Sequence, residues 1–253
     1  MKKTCTHFGR YDLYHPINQL KPVAHNIWLV DSETINFKGV PFPTRMTVIR
    51  LQTGGLFVHS PTDLTASLRS EIDKLGPVEH LVSPNRIHYC WIGQWGEAYP
   101  NAKKWASPDV QSAVEPLAWQ FDCELSTASC PPWDDEISQL HVCGSRFLEE
   151  YVFFHKSSRT LIFADLIENF ERNRIHPWWL KYLFMCAGNA DPDGKLPLDL
   201  RLSYFGRHDQ LSKAVNTMIA WQPERIIIAH GRWYRENAVD ELRRAFRWVK
   251  GVT

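Results

Sequence analysis

Residues 160–166 read Thr-Leu-Ile-Phe-Ala-Asp-Leu, and residues 225–231 read Arg-Ile-Ile-Ile-Ala-His-Gly. Each is a short apolar run, rich in branched and aromatic side chains, that ends on an ionisable residue. Runs of this kind read as strands. Asp165 and His230 then fall at carboxyl ends of strands, where loops diverge and backbone groups become free for ligands. Working outward, 151–155 (Tyr-Val-Phe-Phe-His) reads as the antiparallel partner of 160–164 across the polar turn 156–159. Helical material fills the space before 225–229. Pro177 suits a first helical position and Gly188 a helix end. Leu211, Ala214, Val215, Met218 and Ile219 lie at helical spacing.

The same order occurs earlier in the chain. Residues 26–31 read as a strand, and a polar loop containing Pro41 and Pro43 follows. Residues 45–51 alternate as a half-buried strand would, and Gly54-Gly55 supplies the positive φ of a tight turn back into 56–59. Thr62 or Asp63 caps a helix whose stripe is Leu64, Leu68, Ile72 and Leu75, and Gly76-Pro77 ends it. The strand 78–82 runs into Ser83-Pro84-Asn85-Arg86-Ile87-His88. Between 89 and 145 short strands and one or two short helices are expected, with tryptophans at 91, 95, 105, 119 and 133 and prolines at 116, 131 and 132 breaking regularity. A last amphipathic helix carries Val239, Leu242, Phe246 and Val249, with Asp240 and Arg244 as an i, i+4 pair.

Two rounds of hairpin, helix and strand predict an α/β (α+β) fold in which two similar halves pack sheet to sheet with helices outside. That is a four-layer αββα sandwich forming a single domain over residues 1–253, with its core at about 25–248.

Composition sets the outer bounds. Lys plus Arg number 29 against 28 Asp plus Glu, so the net charge of +1 draws the chain neither to nucleic acid nor to an acidic membrane. With 11 Trp, 13 Phe and 8 Tyr, the chain buries too much apolar surface to stay disordered. No apolar run approaches the roughly 20 residues of a bilayer span. Residues 1–7 carry Lys2 and Lys3 but no apolar signal core, and a cytoplasmic location is expected. The cysteines agree with that, since Cys5, Cys90, Cys123, Cys130, Cys143 and Cys186 form no C-x-x-C pair and read as free, mostly buried thiols. There is no Walker loop, Rossmann glycine fingerprint or G-x-S-x-G elbow, so kinase, dehydrogenase and α/β-hydrolase chemistry have no support.

Chemistry-bearing residues gather at the strand ends: His59 and Ser60, Asn85 and His88, Asp165, and His230. Two or three imidazoles with a carboxylate suit Zn²⁺, Fe²⁺ or Mn²⁺, and an ion held so lowers the pKa of bound water. Each of these residues has a structural alternative, as a helix cap or a loop bond. Glu149-Glu150 reads as a solvated strand entrance, Trp178-Trp179 as core or interface packing, and Cys90 and Cys143 as core thiols.

In the order of its elements, and at 55–61, 160–166 and 226–231, the sequence resembles the metallo-β-lactamase-fold superfamily, and within it a divergent domain-of-unknown-function family. The resemblance spans most of residues 25–248. It implies a metal-dependent hydrolase and assigns Asp165 and His230 as ligands. The superfamily's H-x-H-x-D-H signature is replaced here by residues 83–90, Ser-Pro-Asn-Arg-Ile-His-Tyr-Cys, which leaves His88 as a third ligand by place. No histidine stands near Gly144-Ser145, where another ligand belongs, and His141 is out of register. The expectation is one divalent metal on His88, Asp165 and His230. Asn85 and Ser60 would orient water or substrate and His59 would carry protons, the reaction being attack on an ester, amide, thioester or phosphoester. The competing expectation is a metal-free relative, with Asp165 paired to His230 or Arg86, that binds a small molecule or a protein partner in the same crevice.

Overall fold

The computed structural model describes residues 11–37, 39–108, 110, 119–126 and 130–253. The chain divides into two compact units, Met1–Ser126 and Thr127–Thr253. The amino-terminal stretch with Cys5, and Pro116, lie outside the described residues.

In the first unit, β1 (Lys21–Ala24), β2 (Ile27–Phe37), β3 (Val40–Arg50), β4 (Leu56–His59), β5 (Val78–Ser83), β6 (Lys103–Ala106) and β7 (Cys123–Glu124) form one sheet in chain order. The pairs from β1 to β4 are antiparallel and those from β4 to β7 parallel. The predicted loop at Pro41 and Pro43 is strand instead. β3 pairs with β4 only from Thr47 to Arg50, so the prolines sit where β3 has β2 on one side and, among the described residues, no paired strand on the other. Both share one parity along the strand, and their missing N–H groups cost the ladder nothing on an open edge. Gly54 makes the expected tight turn, donating its N–H to the Leu51 carbonyl at 2.9 Å.

The parallel step from β4 to β5 is made by α1 (Ala66–Leu75), which buries Leu68 and Ile72. Its cap is Thr65, whose hydroxyl accepts the Leu68 N–H at 3.2 Å, rather than Thr62 or Asp63. Thr62 is buried and gives its carbonyl to the Trp95 indole at 2.7 Å. With α2 (Ile92–Ala98), α1 covers a core of Val30, Met46, Val48, Val58, Leu81 and Trp95.

In the second unit, β8 (Ile137–Val142), β9 (Glu150–His155), β10 (Thr160–Ile162) and β11 (Arg225–Ile227) form a sheet of order β11-β10-β9-β8. The hairpin partners are antiparallel, whereas β10 and β11 run parallel, joined by the helical segment between them. Both strands end earlier than read, at Ile162 and Ile227. Between β10 and β11 lie the helices α3 (Trp178–Ala187), α4 (Leu198–Ser203) and α5 (His208–Ala220), and α6 (Ala238–Ala245) follows β11.

Pro177 is the N-cap of α3 rather than its first residue, and Gly188 closes it in the left-handed region, as expected. The apolar stripe read for α5 is buried in full. In α6, Arg244 pairs with Glu241 at 2.6 Å and with Asp193 at 2.9 Å, not with Asp240. Asp240 faces Arg243 at 3.5 Å instead.

Two burial expectations are overturned. α3 buries Leu180 and Phe184, the latter stacked on Phe170 at 4.1 Å, and this turns Trp178 (72% exposed) and Trp179 outward. Among the described cysteines, Cys90, Cys123 and Cys143 are half-buried and Cys130 and Cys186 exposed, so none is a core thiol. Among the described residues no helix is long and apolar enough to cross a membrane.

Candidate metal-binding residues

In the first unit the chemistry sits at the carboxyl ends of β4 and β5. His59 is buried opposite Val82. Ser60 continues the ladder, its N–H bonded to the Val82 carbonyl at 2.8 Å, and then turns into the left-handed region at φ +53°. That turn brings its hydroxyl within 2.5 Å of His88 Nδ1. Asn85, fully buried, accepts the N–H groups of Ile87 (3.0 Å) and His88 (3.2 Å) on Oδ1, an Asx turn that holds the loop in shape. The Ser83 hydroxyl donates to the Asn85 carbonyl at 3.1 Å. Thus Asn85 shapes the loop carrying His88, and Ser60 engages one of its two ring nitrogens.

In the second unit the parallel register decides the geometry. Ile162 stands opposite Ile227, and three residues further along each chain come Asp165 and His230. Pairing continues beyond the strands: Phe163 N–H bonds the Ile227 carbonyl at 2.9 Å and Asn169 N–H the His230 carbonyl at 3.2 Å. His230 Nε2 lies 3.3 Å from Asp165 Oδ1, with both side chains about 95% buried. Gly231 permits this closure. At φ +90° a side chain there is strained, and a Cβ would stand 2.1 Å from the Asn169 carbonyl oxygen.

Two carboxylates that the sequence did not reveal support this pair. Glu150, read as solvated, is 1% exposed; its Oε1 and Oε2 accept the backbone N–H groups of Ala164 and Asp165, each at 2.7 Å. The only hint was its place, directly before a strand of four apolar residues. Glu168 is also buried. Burial pushes its carboxyl up to about 8, a shift that the charge of Asp165 adds to and that of His230 opposes. Asn189 Nδ2 donates to it at 2.6 Å. Its spacing three residues after Asp165 was the available signal. By contrast, His141 and Glu149 pair with each other at 2.9 Å, and His141 stacks on Tyr151.

Solved structures share this architecture. The metallo-β-lactamase DIM-1 matches with a TM-score of 0.61 at 16% identity, over 96% of this chain and 99% of its own. A metallo-β-lactamase from Pontibacter korlensis gives 0.62 at 11%, over 94% and 99%. The metallo-β-lactamase FIM-1 from Pseudomonas aeruginosa, in its mono-zinc form, gives 0.58 at 10%, over 97% and 100%. No curated protein matches the chain. At such identities the likeness shows the fold, which is of the metallo-β-lactamase type. The family model described as "Domain of unknown function (DUF4336)" matches residues 24–178. The chain belongs to that family, a divergent member of the metallo-β-lactamase fold.

Proposed function

We propose that the protein is a metal-dependent hydrolase that uses one divalent ion on His88, Asp165 and His230. The observation that carries the reading is the 3.3 Å between Asp165 Oδ1 and His230 Nε2. Two donors about 2.0–2.1 Å from a tetrahedral zinc stand roughly 3.3 Å apart, so the pair fits as neighbouring ligands of one ion. The proposed third ligand is His88, by its place in the sequence after β5, which would make the set two imidazoles and a carboxylate, one that suits zinc, iron or manganese. The short bond to Ser60 supports the role of His88. That bond holds the imidazole ring in place. The FIM-1 likeness supports a single ion, since that protein holds its fold in a mono-zinc form.

When bound, the ion supplies a water of lowered pKa as nucleophile. The chain's own groups orient and protonate. Asn85 keeps the His88 loop fixed, and Glu168 is a buried carboxyl held by the Asn189 amide at 2.6 Å. His59 is the proposed proton carrier. The substrate class is an ester, amide, thioester or phosphoester. The test is a panel of chromogenic esters, thioesters, phosphoesters and amides, assayed with added Zn²⁺, Mn²⁺ or Fe²⁺ and again after chelation. Turnover of one class, lost on chelation and in His230→Ala, is the expected result. Turnover that survives both chelation and His230→Ala would refute the reading.

A further inference from the structure

We propose that Glu150 is a positioning residue that clamps the backbone at Asp165 and thereby aims its carboxylate at His230. The inference rests on the reading of Asp165 as a ligand. The ladder between β9 and β10 ends at Phe153 opposite Ile162, and the next amide, Phe163, is taken by Ile227. The N–H groups of Ala164 and Asp165 therefore lie past the last pair of that antiparallel ladder. Glu150, the first residue of β9, fills that place with its side chain. Each carboxylate oxygen accepts one N–H, both at 2.7 Å, in a setting 1% exposed.

Two charge-assisted bonds to consecutive amides fix the peptide planes on either side of Ala164, and with them the direction of the Asp165 side chain. A buried carboxylate costs desolvation, which these two donors offset. Neither close substitute does the same work. Glutamine offers one acceptor and turns its amide donor toward an N–H, while aspartate is one methylene short. The clamp thus holds a ligand by its main chain, in the way that hydrogen bonds behind metal ligands tune affinity.

The test uses the full chain, Glu150→Gln, Glu150→Asp and Co²⁺ alone as probe. Two readouts are taken: site-resolved amide exchange without metal, and the affinity and visible spectrum with Co²⁺. The expected result for Glu150→Gln is exchange at Ala164 and Asp165 faster by more than tenfold, with Ile162 unchanged. Co²⁺ affinity should be lower by roughly 10–100-fold, with altered d–d bands. If Glu150→Gln fails to fold, Glu150→Asp is expected to fold, with faster exchange at one of the two amides and an intermediate affinity. Native exchange at both amides in a folded variant overturns the clamp. Faster exchange with native Co²⁺ affinity and spectrum overturns its role in positioning. If the wild-type chain takes up no Co²⁺, the metal reading falls on its own, and the exchange data still judge the clamp.

Discussion

Ser60 illustrates how one side chain decides what a neighbour can do. Its bond to His88 Nδ1 holds the ring plane, so the change Ser60→Ala should leave the fold intact and free the imidazole to rotate. Zinc affinity, measured by competition with a chromophoric chelator, is expected to fall roughly 10–100-fold. Unchanged affinity would mean that Ser60 serves only its loop. The closeness of Asp165 and His230 was legible from their places at the ends of two apolar runs. Residue identity misled at Glu150, because a glutamate at a strand start is ordinarily solvated; only the three-dimensional register shows that two amides need it. His88 was visible by its place after the strand 78–82, whereas its bond to Ser60 was not.

At the scale of elements, the parallel pairing of β10 and β11, whose register brings Asp165 opposite His230, came only with the structure, whereas the two strands themselves were readable from their unbroken apolar runs. The long β2–β3 hairpin was not, since Pro41 and Pro43 read as breakers until the open edge is known. Nor was the outward face of α3, where burial follows from which neighbours are present and not from hydropathy. The tie between α6 and the loop before α4 was equally hidden. Asp193 there accepts from Arg244, Arg247 and Lys195, and those partners hold its carboxyl well below the usual range. A depressed carboxylate stabilises above its unfolded pKa, and that contribution is lost as pH falls through the folded value. Asp193→Asn is therefore expected to cost about 1 kcal/mol at pH 7, allowing for solvent screening of a half-exposed group. The difference from the native chain should shrink once pH drops below 3.8. Denaturant unfolding at both pH values measures it, and a constant difference would contradict the account.

Over the whole molecule, near-neutral charge leaves stability at different pH to a few buried groups. His80 in the first unit is pushed down to about 4 by burial, and it accepts the Trp105 indole N–H at 3.3 Å. Its folded pKa lies below the unfolded 6.5, so the unfolded chain binds the extra proton, and the stability His80 confers above pH 6.5 is lost between 6.5 and 4. Glu168 titrates with the opposite slope above 4.5, so the contribution is best read as native minus His80→Gln. That difference should change by on the order of 3 kcal/mol across the window; parallel pH profiles would rule it out.

The fold is shared with metallo-β-lactamases along nearly the full chain, whereas the H-x-H-x-D-H signature is absent. The central claim is that a reduced ligand set still holds an ion. Its most direct test is elemental analysis of the native chain purified without tag or added metal, beside Asp165→Asn. The account predicts about one equivalent of zinc, iron or manganese in the native chain, absent from the variant. A native chain without metal, or a variant with the same content, would contradict it.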